Sequence, residues 1–344
     1  MNLDQYLPAV NEYLTTADLH TVPGWNSGDV FQILPLAQGE YNMNYLVRRG
    51  HNRWVFRVNI GTQIGRDDQI LYEFKALQLL QKSGVTPLPY FVDDSRNLIE
   101  HGVLLMEYLP GGALDYRRDL MRAAHLFARI HATHIPPQLN HLMIEDQPLT
   151  MTYEECSHLL PVYLSSNLAD PELRDYLSDV LDWAEHSRHL ERYFVEDPVP
   201  SIINTEVNSG NFIANRERNT LHLVDWEKPL FGDPSQDISH FCAPMTTLWK
   251  TDYRMSEEVK KEFIMAYQQA VPDRHLADTI VERVRLRDPF NYLRGISWSA
   301  MAWIHYQTGD HTLKNQDTFK RVCSYLDIEF QRELFDPYLN AGFR

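Results

Sequence analysis

The sequence predicts an α+β protein in which strands are concentrated in the first hundred residues and helices dominate the rest. Three apolar runs near the start, 31–34, 44–47 and 54–58, are separated by turn-forming residues, which is typical of an antiparallel meander. From residue 153 onward, apolar residues recur at three- and four-residue spacing, which is typical of amphipathic helices. A chain of 344 residues is long enough for either one large domain or two lobes.

The other elements of the first part are two helices and a strand. Residues 3–17 and 70–81 carry apolar side chains at helical spacing, and the apolar run 103–106 predicts a further strand. Only Gly39 stands in the turn between the first two strands. The G-x-G-x-x-G pattern that cradles phosphates is therefore missing there, and no G-x-x-x-x-G-K-[ST] occurs elsewhere.

The second part of the chain predicts a series of helices. They are expected at 119–132, within 153–195, after Asp237, from an N-cap at Ser256, and from Asp288-Pro289 onward. The last of them carries a dense aromatic group that includes Tyr292, Trp298, Trp303 and Tyr306. Such residues could form a wall that holds a cationic amine, but stripes at this spacing more often pack in a core.

Composition and net charge indicate which classes of binding partner are compatible with the chain. The net charge of −15 and the pI near 5.4 argue against a nucleic-acid binder and are compatible with cationic small molecules. The three cysteines are odd in number and widely separated, so neither a disulfide framework nor a zinc site is predicted. The N-terminus lacks a targeting pattern, and no stretch of about 20 apolar residues occurs. We therefore expect a cytoplasmic protein with no membrane partner.

The most informative stretch is 204–237, where short apolar strands alternate with polar turns. This pattern predicts that Glu206, Asn211 and Asp225 lie at one mouth of a small hairpin. Asparagine and aspartate oxygens suit magnesium, which takes oxygen ligands, and a carboxylate five residues before the asparagine suits the orientation of a reacting hydroxyl. Phosphoryl transfer from ATP needs these parts.

The same stretch resembles the aminoglycoside phosphotransferase and choline kinase family. The family reads H-G-D-x-H-x-x-N, followed by I-D-W-E, G-D-P and a further aspartate. The positions that match are Gly210-Asn211, Asp225-Trp226-Glu227, Gly232-Asp233-Pro234 and Asp237. Three positions differ, because Asn204, Glu206 and Asn208 stand where the family has histidine, aspartate and histidine.

The resemblance extends over residues 30–245 and implies a two-lobed protein-kinase-like α+β fold. The small lobe, with an antiparallel sheet, is expected at 1–108. The larger and mainly helical lobe is expected at 109–344 and would carry the catalytic loop 204–211. The implied cofactors are ATP and magnesium, with Asn211 and Asp225 as metal ligands and Glu206 in the place of the catalytic base.

The resemblance also implies a nucleotide site in the small lobe. Arg57 stands on the third strand at the position of the phosphate-binding lysine, and Glu73 stands at that of its helical partner. Gly39 belongs to the loop expected to cover the phosphates. The segment from Leu105 to Gly111 resembles the family's hinge, so the backbone of Glu107 and Leu109 would pair with adenine. The alternatives are a surface arginine, a solvated glutamate and a plain edge strand.

Another candidate is the histidine pair His131 and His134, which are three residues apart on a predicted helix. That spacing can place two metal ligands on one face, but no further ligand pair accompanies them. A histidine that packs and satisfies its hydrogen bonds is therefore the favoured interpretation of His131.

Three functions remain open at this point. The first is an ATP- and magnesium-dependent phosphotransferase that acts on the hydroxyl of a small molecule, such as an amino alcohol, an aminoglycoside or a sugar. The second is a catalytically weak or inactive relative with a nucleotide-binding or regulatory role, because the altered Glu206 is longer than aspartate by about one bond, roughly 1.5 Å. The third is transfer of AMP by the same fold. The retained Asn211 and Asp225 favour the first.

Overall fold

The structure is a computed structural model that describes residues 3–26, 30–62, 64–309 and 316–340. Its contacts divide the chain into two units. The first unit comprises Met1–Leu114, Thr133–Met143 and Asn211–Pro229, and the second comprises Asp115–Ala132, Ile144–Gly210 and Leu230–Arg344. The predicted lobes at 1–108 and 109–344 remain a prediction.

Strands are concentrated in the first part of the chain and helices in the rest, as the sequence predicts. Among the described residues the strands are β1 Gln32–Gln38, β2 Asn42–Arg49, β3 Asn52–Asn59, β4 Pro89–Asp93, β5 Gly102–Glu107, β6 Met143–Ile144, β7 Ser201–Ile203, β8 Phe212–Asn215, β9 Thr220–Leu223 and β10 Leu230–Gly232. The helices in the same ranges are α1 Leu3–Thr16, α2 Gln69–Leu80, α3 Tyr116–His131, α4 Pro148–Leu159, α5 Pro161–Leu164, α6 Pro171–Ser187, α7 Arg192–Glu196, α8 Ser235–Cys242, α9 Pro244–Trp249, α10 Glu257–Ala270, α11 Arg274–Thr308, α12 Gln316–Tyr325 and α13 Ile328–Leu339.

The first unit is built on a five-stranded antiparallel sheet with the order β1-β2-β3-β5-β4. The predicted meander and the strand at 103–106 are confirmed, and β4 is an additional edge strand. In β3 the side chains of Phe56 and Val58 are fully buried with Tyr13 and Val10 of α1. Arg57 alternates with them in sequence, which points it to the opposite face of the sheet. The sheet thus separates an apolar core from a charged side.

A small hairpin of the same unit, formed by β8 and β9, follows the catalytic stretch. Its register pairs Phe212 with Leu223, so that Asn211 and Val224 stand next to each other at one end. The turn after the hinge is fastened to this hairpin, since Gly112 exchanges two backbone hydrogen bonds with Ala214 at 3.1 and 2.7 Å. At Gly111 a Cβ atom would lie 2.7 Å from the Ala214 carbonyl oxygen, so this close approach requires glycine.

The second unit is mainly helical and is organised around α11, a helix of 35 residues. Its buried side chains pack with those of α4, α6, α12 and α13 in one apolar core. The helix α8 also lies against α11. Of the sequence-predicted helices here, the one with the Ser256 N-cap begins as expected, since the Ser256 hydroxyl accepts from the Val259 N–H at 3.4 Å.

The predicted helix start at Asp288-Pro289 is wrong. The helix α11 begins at Arg274, where the Asp273 carboxylate accepts the Leu276 N–H at 3.1 Å, and it continues through Pro289. A proline costs one backbone hydrogen bond inside a helix. The helix continues because Leu286, on one side of the proline, and Leu293, on the other, are both buried in the same core.

The aromatic group of α11 faces several neighbours instead of one binding wall. Tyr292 belongs to the buried core, and Trp303 packs edge-on against Tyr163 with ring centroids 5.9 Å apart. Tyr306 contacts Phe319 of α12 at 5.0 Å. These residues pack, which was the favoured interpretation. No helix in the described part of the chain has the length and apolar content needed to cross a bilayer.

Candidate active site

The charged side of the first unit's sheet is organised by Arg57. Its Nη1 atom lies 2.5 Å from Oε1 of Glu73 on α2 and 3.0 Å from Oδ1 of Asp225. The Nε atom donates to the Asn44 side-chain oxygen at 2.9 Å. The structure therefore brings three sequence-predicted residues together, with the Arg57 and Glu73 side chains only 6% and 2% exposed and that of Asp225 32% exposed.

Burial and pairing act in opposite directions on these charges. Burial alone would lower the pKa of Arg57, but the carboxylates of Glu73 and Asp225 outweigh it and raise that pKa above its ordinary value. Burial raises the pKa of Glu73, and the Arg57 guanidinium opposes this rise. The guanidinium is therefore permanently charged and held at a fixed position on the sheet. Its role in binding phosphate remains a prediction.

Asn211 and Asp225 are brought to the same end of the β8–β9 hairpin. The Val224 N–H donates to the Asn211 carbonyl at 2.8 Å, and Asp225 is the next residue. Asp225 has a φ of +64°, in the left-handed region that few residues adopt, although aspartate tolerates it better than most. Such conformations are costly and concentrate at functional sites. This bend points the Asp225 side chain back toward Arg57.

The Trp226-Glu227 pair after Asp225 is structural. Trp226 is fully buried, and its indole N–H donates to the Leu223 carbonyl at 3.0 Å. The Glu227 carboxylate accepts a hydrogen bond from the side chain of Asn42, while its carbonyl accepts one from that of Gln69. These contacts fasten the segment to β2 and to the start of α2, which explains why an acid follows the tryptophan.

The hinge residues lie where β5 ends. The Glu107 N–H donates to the Leu88 carbonyl at 2.8 Å, and the Glu107 carboxylate accepts the Leu88 N–H at 3.2 Å. Leu109 follows the strand, and Asn215 donates to the Pro110 carbonyl at 2.9 Å. Gly39 lies in the turn between β1 and β2, and its N–H donates to the Asn42 carbonyl at 2.9 Å. The adenine and phosphate contacts of these residues remain predictions.

In the second unit, the loop that begins at Asn204 is held by Asp237. The carboxylate of this buried residue accepts the N–H groups of Asn204 and Thr205 at 2.8 and 2.9 Å. The Asn204 side-chain oxygen in turn accepts the Glu206 N–H at 3.0 Å. Thr205 has a φ of +70°, an unusual conformation for a β-branched residue, and the two hydrogen bonds to Asp237 compensate for its strain.

His131 contributes to the same support. Its ring nitrogens lie 2.9 Å from the Tyr267 hydroxyl and 3.4 Å from the Asp237 carboxylate. The side chain is fully buried. The favoured interpretation of His131 as a packing residue with satisfied hydrogen bonds is thus confirmed. Its position also indicates that it orients Asp237, which holds the loop.

The Glu206 carboxylate faces a guanidinium from α11. Arg294 lies 3.9 Å from Glu206 Oε1 and donates from Nε to the Glu155 carboxylate at 2.9 Å. Burial alone would lower the pKa of Arg294, but the two carboxylates raise it, Glu155 the more strongly. The Glu206 side chain is 29% exposed. One carboxylate of the loop is therefore oriented by a charged partner and remains accessible.

Comparison with known proteins then decides the family. The sequence profile of the phosphotransferase enzyme family matches residues 32–277. The chain belongs to this family. A mouse protein, acyl-CoA dehydrogenase family member 10, is 23% identical over 242 residues, which are 64% of this chain and 21% of that protein. The chain thus spans about a fifth of the length of this curated relative.

Solved structures of phosphotransferases share the fold. The ethanolamine kinase of Plasmodium vivax is 16% identical with a TM-score of 0.61, and the likeness covers 89% of this chain and 83% of that one. A spectinomycin phosphotransferase, solved with ADP and spectinomycin, is 13% identical with a TM-score of 0.59, covering 86% and 89%. The predicted protein-kinase-like α+β fold and the predicted family are both confirmed.

The G-D-P sequence of this member of the phosphotransferase enzyme family has a structural explanation as well. Asp233 binds Arg283 of α11 at 2.7 Å and accepts the Ser235 N–H at 3.0 Å, which starts α8. A Cβ atom on Gly232 would lie 2.7 Å from the side chain of Glu145, so only glycine fits beside it. The motif places α8, and with it Asp237, beside the loop that begins at Asn204.

Several residues that shape the site escape prediction from sequence. Arg294 approaches the loop and Glu155 binds Arg294, both from helices that lie far from the loop along the chain, and neither stands in a recognisable motif. The sequence shows His131 and Asp237, but not that they contact each other. Asp237 carries a signal as part of the family pattern, and His131 carries one as the end of a predicted helix.

A half-buried histidine beside the loop predicts a pH dependence of stability. Burial and the Arg294 guanidinium lower the pKa of His240 to about 4, although Glu206 and Asp237 oppose this. In the unfolded chain a histidine has a pKa of about 6.5, so the unfolded state binds more protons between these two values. Stability should therefore fall as the pH falls from 6.5 toward 4, by about 2 kcal/mol on reaching pH 5.

The His240→Asn variant tests this expectation by urea unfolding at pH 7.5 and pH 5.0. We expect it to lose less stability on acidification than the native protein, by about 2 kcal/mol. The exposed His158, replaced in the same way, provides the control and should leave the difference unchanged. Equal pH dependence of the native protein and His240→Asn would contradict the expectation.

Proposed function

We propose that this protein is an ATP- and magnesium-dependent phosphotransferase that acts on a hydroxyl group of a small molecule. The observation that carries the proposal is the contact of Arg57 with Glu73 and Asp225 at 2.5 and 3.0 Å. A buried guanidinium at a fixed position presents N–H donors that suit phosphate oxygens. The partly exposed carboxylate of Asp225 beside it would hold a magnesium ion that neutralises phosphate charge.

Asp225 and Asn211 fit magnesium as the metal. Both offer oxygen atoms, and both stand at one end of the β8–β9 hairpin. In the described ranges, no group of three or more His, Cys, Asp or Glu side chains is arranged to hold an ion by itself. Magnesium usually keeps waters and substrate phosphates among its ligands, so one carboxylate and one amide suffice. When bound, it would neutralise the charge that develops on the phosphates.

Glu206 would serve as the base. Its carboxylate orients the acceptor hydroxyl and accepts the proton while the hydroxyl oxygen forms a bond to the γ-phosphorus. The bond between that phosphorus and the oxygen of the departing ADP breaks in the same transfer. Arg294 limits the freedom of the longer glutamate side chain, and Asn204 fixes its backbone N–H. These contacts support a glutamate in the place of the family's aspartate.

The nucleotide would lie along the first unit's sheet. The backbone of Glu107 and Leu109 would pair with adenine, and the turn at Gly39 would cover the phosphates. The hydrogen bonds that fasten Glu107 to Leu88 support a hinge of defined conformation. A rigid backbone edge of this kind holds a planar base at low entropic cost.

A thermal-shift and turnover screen tests the proposal. MgATP should raise the melting temperature, because a ligand that binds only the folded state stabilises it, by about 2.7 kcal/mol at a hundredfold excess over Kd. ATP without magnesium should have a smaller effect. Of amino alcohols, aminoglycosides, sugars and hydroxy acids, at least one class should accelerate ATP consumption.

The screen also distinguishes the competing functions. A melting temperature that rises with MgATP while no acceptor is ever consumed would favour a nucleotide-binding protein with a regulatory role. Release of diphosphate in place of ADP would favour transfer of AMP. A melting temperature indifferent to MgATP, with no consumption, would contradict the proposed function altogether.

A further inference from the structure

The second unit contains a cavity of about 450 Å³ between α9 and α12. Pockets that hold small molecules occupy roughly 300–1,000 Å³, so this one can hold a substantial part of a substrate. Its lining combines an aromatic ring with charged side chains, namely Trp249, Lys250, Asp317, Lys320 and Arg321. The cavity lies in the last hundred residues, where the sequence carries no motif.

The charge of this lining is opposite in sign to that of the whole chain. The lining contains three cationic residues and one acidic residue, whereas the net charge of the whole protein is −15. Arg321 binds Asp252 at 2.8 Å, and the Lys250 ammonium lies 5.8 Å from the centre of the Trp249 ring. A concave site lined mainly by one sign of charge concentrates the opposite ion. The local field favours an anion.

One residue of the lining lies beside the loop that ends at Gly210, and another packs against α11. A Cβ atom on Gly210 would lie 3.9 Å from Cγ of Lys250, and Gly210 is only four residues after Glu206. Trp249 also packs edge-on against Trp298 of α11, with ring centroids 5.6 Å apart. Trp298 is one helical turn beyond Arg294, which approaches Glu206 to 3.9 Å. Two residues of the lining, Lys250 and Trp249, therefore lie next to the segments that carry Glu206 and Arg294.

We propose that the acceptor substrate carries an anionic group, such as a carboxylate, phosphate or sulfate, which this cavity binds. Lys250, Lys320 and Arg321 hold the anion, and the apolar part of the acceptor packs on the Trp249 ring. This inference rests on the proposed function, because it specifies the acceptor of the same site. It replaces the cationic acceptor that the acidic composition of the chain suggests.

A matched series of acceptors tests the charge preference directly. The series is 6-hydroxyhexanoate, 1,6-hexanediol and 6-amino-1-hexanol, which share one hydroxyl and a six-carbon chain and differ in the charge of the other end. Binding is measured by saturation-transfer NMR and calorimetry in the presence of MgATP. We expect the anion to bind at least about tenfold more tightly than the cation, as charge complementarity requires.

A charge-reversal variant and a matched control locate the effect. Lys250→Glu combined with Lys320→Glu should weaken the anion at least about tenfold and abolish or reverse the order of the series. Both side chains are exposed, so the fold and the Kd of MgATP should be unchanged. The control, Lys261→Glu combined with Arg274→Glu, alters the net charge equally at exposed positions elsewhere and should keep the native order.

The outcomes separate this inference from the function on which it rests. The anionic site would be overturned if the native protein binds the cation most tightly or shows no charge preference. It would also be overturned if the preference for the anion survives in Lys250→Glu combined with Lys320→Glu. Each of these results counts against the site even if MgATP is consumed. Absence of MgATP binding and of ATP consumption would instead refute the phosphotransferase. The charge order in direct binding is measured in either case and still decides the inference.

Discussion

The Glu206→Gln variant should lose turnover by roughly 10²- to 10⁴-fold while it binds MgATP as the native protein does. This range is what a positioned general base contributes to a proton transfer. Glutamine keeps the size of the side chain and can still accept a hydrogen bond, but it cannot take up the proton of the acceptor hydroxyl. The measurement is steady-state ATP consumption with a responsive acceptor, together with the Kd of MgATP from calorimetry.

Two further variants sharpen this test. Glu206→Asp keeps the charge but retracts the carboxylate by about 1.5 Å, and misplacement on this scale costs roughly 100-fold in rate. It should therefore lie between the native protein and Glu206→Gln. The exposed Glu217, replaced by glutamine, is the control and should behave as the native protein. Turnover in Glu206→Gln close to the native rate would remove Glu206 from the role of base.

The Asp225→Asn variant should lose both the magnesium-dependent part of ATP binding and nearly all turnover. Asparagine fits the left-handed backbone at φ +64° and has the same shape, so the effect comes from the lost negative charge. Removal of one electrostatic contact from a reacting centre costs roughly 10²–10³-fold in rate, and loss of a metal ligand should cost at least as much. The fold should persist, because Arg57 keeps its contact with Glu73 at 2.5 Å.

Thermal shift at increasing magnesium concentration measures this expectation. In Asp225→Asn, magnesium should no longer strengthen the stabilisation that ATP provides, and higher magnesium concentrations should restore it only in part. The exposed Asp67, also in the first unit and replaced by asparagine, controls for the change in net charge. Unchanged magnesium dependence in Asp225→Asn would show that the metal is held elsewhere.

Much of the fold is predictable from local patterns, because those patterns have local physical causes. Alternation of apolar and polar residues predicts β2 and β3, since successive side chains of a strand point to opposite faces. Helical spacing predicts α1 and α2, and Ser256 predicts the start of α10. Pro289 is misleading because its cost inside a helix, about 3 kcal/mol, is offset by the burial of Leu286 and Leu293 on either side.

In the candidate site, too, local patterns predict some residues and not others. The proposed base and metal ligands, Glu206, Asn211 and Asp225, occur in a short pattern, so their spacing in the sequence predicts them. Residues that orient them cannot, because their contacts join distant parts of the chain. Arg294 is 88 positions after Glu206 in the numbering of the sequence, and nothing around it distinguishes it from a surface arginine. The cationic cavity at Lys250 and Lys320 is invisible for the same reason.

Transfer of the γ-phosphoryl group is the central claim, and ³¹P NMR of a reaction mixture tests it most directly. The protein is incubated with MgATP and the most responsive acceptor from the screen, and the phosphorus resonances are followed with time. We expect the ATP signals to be replaced by those of ADP and by one new phosphomonoester, in equal amounts. A mixture in which no phosphomonoester forms, or in which AMP appears in a diester while diphosphate is released, would contradict the account.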